Sequence, residues 1–64
     1  MSEESMADFV ERIRGIFINM YGTPLKPKQI AETINEPEQK VKDAIKILHD
    51  KGKIRVTAKG WMPV

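Results

Sequence analysis

The stretch Pro27-Lys-Gln-Ile-Ala-Glu-Thr-Ile-Asn-Glu-Pro37-Glu-Gln-Lys-Val-Lys-Asp-Ala-Ile-Lys-Ile-Leu-His-Asp-Lys-Gly52 decides the fold. It carries two apolar rhythms of helical spacing, separated by residues that end one helix and open another. Ile30, Ala31 and Ile34 share one face of a first helix, and Val41, Ala44, Ile45 and Leu48 repeat the pattern in a second. Pro27 suits the first turn of a helix, where its missing N–H costs nothing. Asn35 suits the left-handed residue that closes one. Glu36-Pro37 opens the next helix with Pro37 in its first turn, Lys51 sits in the last turn near the negative end of the dipole, and Gly52 ends it. Two helices, over about 27–34 and 37–51, joined by so short a turn, read as a helix-turn-helix.

Upstream, Met6, Phe9, Val10, Ile13, Ile16, Phe17 and Met20 form one helical stripe, with Tyr21 at its edge. Ser5 is a natural N-cap and Asp8 favours the positive end of the dipole. Gly22 followed by Thr23-Pro24 is a stop, so this helix is expected from about Met6 to Tyr21. Leu25, between two prolines, reads as one inward-pointing residue of a short extended piece. Downstream, Lys53-Ile-Arg-Val-Thr-Ala58 alternates polar and apolar and is β-branched, which predicts a strand. Lys59-Gly60 reads as a turn and Trp61-Met-Pro-Val64 as the returning strand, with Pro63 restricted to an edge. The expected core is Phe9, Ile13, Phe17, Leu25, Ile30, Ile34, Val41, Ile45, Leu48, Ile54 and Trp61. The fold class is α+β, mostly α: three helices and a C-terminal β-hairpin.

That order resembles the winged helix-turn-helix superfamily. The runs Pro24-Leu-Lys-Pro-Lys-Gln-Ile-Ala-Glu-Thr-Ile34 and Val41-Lys-Asp-Ala-Ile-Lys-Ile-Leu-His-Asp-Lys-Gly-Lys-Ile54 carry the resemblance, which extends over residues 6–64. It implies a recognition helix at 37–51, a wing at 54–64 and double-stranded DNA as the partner. In size and wing the chain is also similar to the Z-alpha family of Z-DNA- and Z-RNA-binding domains. Where that family uses a Lys, an Asn and a Tyr along the recognition helix, this chain has Glu38, Lys42 and Lys46; Trp61 is the element retained.

Composition bounds the rest. A chain of 64 residues is one domain, here an acidic leader at 1–5 followed by the domain at 6–64. With no cysteine there is no disulfide and no thiolate ligand, and a single histidine, His49, argues against a metal staple. No apolar run reaches the roughly 20 residues of a membrane span, and the acidic start lacks a signal-peptide n-region, so a cytoplasmic address is the default. Net charge is +2, but residues 12–64 hold all eleven Lys and Arg against five acids, a mild basic footprint. No nucleophile–base pair, glycine-rich phosphate loop or metal triad is present; no enzyme, cofactor or small-molecule ligand is expected.

The candidate nucleic-acid contacts follow from the helical wheel. Gln39, Lys42, Asp43 and Lys46 face outward on the recognition helix, Gln39 to read a base edge and the lysines to meet phosphate or guanine. Glu36 and Glu38 place negative charge at the end of that helix which enters a groove. Arg55 and Lys59 extend the surface along the wing, and Lys26 and Lys28 mark the start of the preceding helix, where related domains touch phosphate. Trp61 reads first as a core cap and second as a stacking residue; His49 reads as a surface residue. Ile18 and Ile47 fall off their stripes and, if exposed together, would form a self-association patch for a homodimer. The transcriptional regulator is the first functional expectation; a winged-helix protein–protein interaction module is the second.

Overall fold

The computed structural model describes residues 4–64. Three helices, α1 (Met6–Asn19), α2 (Pro27–Ile34) and α3 (Glu38–Asp50), precede an antiparallel hairpin of β1 (Ile54–Thr57) and β2 (Gly60–Pro63). This is the winged helix-turn-helix layout. Of the acidic leader, residues 1–3 lie outside the described residues. Ser5 caps α1 as expected: its Oγ accepts from the Asp8 N–H at 3.1 Å. α2 has the expected bounds, and Asn35 is left-handed at φ 57°.

Four boundaries differ from expectation, each for a local reason. α1 ends at Asn19 rather than Tyr21, because the Tyr21 N–H bonds back to Ile18 and the Thr23 N–H to Met20, tightening the chain into turns before Gly22. Met6 and Met20, at the two ends of the stripe, are exposed. Pro37 is the N-cap of α3, extended at ψ 138°, rather than a first-turn residue. Lys51 lies past the last helical residue. There the Gly52 N–H bonds His49 C=O and the Lys53 N–H bonds Leu48 C=O, both at 2.9 Å, a Schellman closure that needs the positive φ of Gly52. The hairpin turn is Ala58-Lys59, and Gly60 is the first residue of β2. The Thr57 hydroxyl organises this turn, donating to Gly60 C=O at 2.7 Å and accepting from the Lys59 N–H at 3.2 Å.

Leu25 adds a one-residue third strand. Its N–H and C=O exchange bonds of 2.8 and 2.7 Å with Trp61. In the register Ile54↔Pro63, Arg55↔Met62, Val56↔Trp61, alternate residues of β2 turn their backbone groups away from β1. Trp61 therefore presents its N–H to Leu25. Pro63, two residues on and past the end of that short strand, faces the open edge where its missing N–H costs nothing.

The core forms where α1, α2 and α3 meet beneath β1. Phe9, Ile13, Phe17, Leu25, Ile30, Val41, Ile45, Leu48 and Ile54 are buried as expected, joined by Val10, Ala31 and Ala44. Ile34 and Trp61 are only half-buried and pack against its rim. Val56 shares a face with Ile54 but is 60% exposed, because the wing projects beyond the helices there. Gly15 lies mid-helix on α1, and a Cβ added to it would meet nothing within 4 Å. Gly15→Ala is expected to raise stability by about 0.5–1 kcal/mol by restricting the unfolded chain. A urea midpoint that moves up at unchanged slope would show it; a midpoint that falls would mean this face is occupied.

Candidate nucleic-acid interface

The acids of this chain sort its bases into two groups. Glu36, in the turn between α2 and α3, bridges α1 and α3. It accepts from Arg12 on α1 at 2.7 Å and from Lys40 at 3.3 Å. Arg12 holds the Glu36 carboxyl below the usual carboxylate range, with Lys40 adding to it against a partial loss of hydration. The same two cations flank the buried Phe9 ring, with Lys40 Nζ 4.3 Å and Arg12 Cζ 5.1 Å from its centroid. Arg12 also reaches Glu4 at 3.4 Å, and Arg14 approaches Glu11 at 3.9 Å. On α3, Lys42 meets Glu38 at 3.4 Å, one turn away.

The other seven cations are Lys26, Lys28, Lys46, Lys51, Lys53, Arg55 and Lys59. None has a carboxylate within 4.0 Å among the described residues. They lie at the start of α2, on the outer face of α3, in the segment just after it, and on the wing. The pairing therefore engages both arginines of α1 and two lysines of α3, and the cations without a carboxylate partner stand on α2, α3, the segment after it and the hairpin, alongside the acids Glu32, Asp43 and Asp50.

The sequence-predicted residues divide accordingly. Lys42 and Lys46 come together with Pro27, Ile45, His49 and Trp61 around an open cleft of about 310 Å³. Lys26 is the exposed N-cap position of α2, next to Pro27 in that cleft wall. Arg55 and Lys59 are exposed on the wing. Lys28 points elsewhere, into a depression it shares with Glu32, Glu36 and Glu38. Gln39 is engaged: its Nε2 donates to Asp43 Oδ1 at 2.9 Å, so reading a base edge requires that bond to open. Ile18 is 56% exposed beside Arg14, Lys53 and Val64, whereas Ile47 is half-buried against the core, so the pair does not form one exposed patch.

His49 is the residue whose part in this cleft was not anticipated. Its ring meets Trp61 edge to face, with centroids 5.2 Å apart and planes at 68°. Its spacing carried the signal, since it falls three residues after Lys46 and seven after Lys42, on the same flank of α3. Among the described residues no three His, Asp or Glu side chains gather into a metal-holding group, and no helix is long and apolar enough to cross a membrane. No protein-family model, no curated protein and no solved structure matches this chain.

Proposed function

We propose that this chain binds double-stranded DNA through the outer flank of α3 and the wing, and acts as a small regulatory protein. The observation that carries the reading is the segregation of charge. The acids pair off Arg12 and Arg14 of α1 and Lys40 and Lys42 of α3, while Lys46 on α3 and Arg55 and Lys59 on the hairpin are left without a carboxylate among the described residues. A helix that presents Lys46, flanked by a projecting hairpin that presents Arg55 and Lys59, suits a groove with phosphates on either side.

Each lysine set against phosphate releases counterion and steepens the salt dependence of binding by about 0.9 in log–log slope. Lys46→Ala is thus expected to weaken binding to all duplex sequences alike and to flatten that slope by about one unit. Fluorescence anisotropy with a labelled duplex at several salt concentrations measures both quantities. The same cations would also serve a winged-helix module that docks an acidic protein. That becomes the better account if the parent chain shows no salt-dependent duplex binding even at low ionic strength.

A further inference from the structure

The cleft between the start of α2, the flank of α3 and β2 has a composition that a fully paired duplex does not exploit. Its walls are the rings of Pro27, His49 and Trp61, its floor is Ile45, and the only charged side chains lining it are Lys42 and Lys46. Ile45 is 2% exposed and Trp61 half-buried, so the floor is fixed by the core beneath it. Trp61 is anchored at both backbone atoms by Leu25 and at its ring by His49. A lining of rings together with two lysines suits a planar aromatic ring bearing an anion. At about 310 Å³ the cleft is at the small end of ligand sites, which run from roughly 300 to 1,000 Å³, a size that suits one such unit. Paired and stacked bases offer only their edges, so they cannot enter it.

We infer that this cleft takes a single nucleotide unit, with the base against Trp61 and the phosphate on Lys46 and Lys42. The inference rests on the duplex reading and narrows it. A base turned out of the stack at a bulge supplies such a unit, and a free mononucleotide supplies the same chemistry. Base stacking on an aromatic side chain tolerates any base, so the preference is for an unpaired base and not for a sequence. Lys42 exchanges Glu38 for the phosphate when the cleft fills.

Trp61 is the only tryptophan, so its emission reports the cleft directly. The full chain is titrated with a hairpin-closed, fully paired duplex, the same duplex with one bulged nucleotide, a deoxynucleoside monophosphate, and inorganic phosphate. The bulged duplex is expected to bind about tenfold more tightly than the paired one and to quench Trp61. The mononucleotide is expected to quench at higher concentration, and phosphate alone is not. Trp61→Leu, followed with labelled DNA, should abolish the preference for the bulge and keep salt-dependent binding to the paired duplex. Should that variant fail to fold, His49→Asp alters an exposed wall residue instead and should reduce both the preference and the mononucleotide quench. Equal affinity for the two duplexes with unchanged emission overturns the cleft and leaves the duplex reading standing. Absence of binding to either duplex overturns the duplex reading. In that case a mononucleotide quench assigns the cleft to a free nucleotide, and no quench overturns the cleft as well.

Discussion

Phe9→Ala is expected to cost about 3–5 kcal/mol. The ring is 0% exposed on the face of α1 that packs on α3, and truncation leaves a cavity that the surrounding helices can fill only in part. It also removes the ring under Lys40 and Arg12, the two cations that hold Glu36 and so tie α1 to the turn between α2 and α3. A domain of this length has a total stability of about 3–10 kcal/mol at the usual ~0.05–0.15 kcal/mol per residue. The loss is therefore about a third or more of the total stability. Urea denaturation followed by circular dichroism measures the loss, with Phe9→Leu as a control that keeps most of the volume. A loss under about 1 kcal/mol would mean that Phe9 does not hold α1 to the rest.

Gly60→Ala is expected to cost roughly 2–4 kcal/mol, from backbone strain and weakened strand bonds together. Gly60 has φ 145°, and a Cβ there would lie 2.8 Å from Leu25 O, 3.1 Å from its C and 3.2 Å from its N. All three are backbone atoms fixed by the paired bonds to Trp61, so the neighbour cannot yield without parting the strands. Gly52→Ala separates the two contributions. Gly52 is also left-handed, at φ 72°, but a Cβ there meets nothing within 4 Å, so only strain of about 1–2 kcal/mol applies. Thermal melts of both variants should show Gly60→Ala melting lower. Equal melting points would mean that the approach of Leu25 to Gly60 costs nothing. Because Trp61 follows Gly60, the same change should also alter Trp61 emission, which the Gly52 variant leaves alone.

The helices were legible because their signals are local. The three- and four-residue spacing of Ile30, Ala31 and Ile34, and of Val41, Ala44, Ile45 and Leu48, reports a buried face with no knowledge of what buries it. Asn35 and Gly52 mark left-handed closures because few other residues accept that backbone. Positions whose state depends on a distant partner were less legible. Trp61 and Ile34 have core chemistry but sit at the rim. Val56 alternates correctly and is still exposed, because alternation assigns a face and not whether anything covers it. The turn reading Lys59-Gly60 took glycine as the turn residue. Here Gly60 is required by the approach of Leu25, thirty-five residues away in sequence.

From the sequence alone follow the order of elements, the helix faces, the caps and most of the core, because propensity, capping and periodicity act within a few residues. The tertiary structure decided which charges are spent and which remain. Glu36 reads from sequence as a negative charge at the mouth of the recognition helix. In the fold it is held by Arg12, twenty-four residues earlier, and by Lys40, so its charge is countered. Gln39 and Lys42 read as free contacts but are engaged with Asp43 and Glu38, while Lys46 is left without an acidic partner among the described residues. The cleft exists only because β2, held by Leu25, lays Trp61 against His49. Coulomb attraction and ring packing depend on distance in space, and only the folded chain sets that distance.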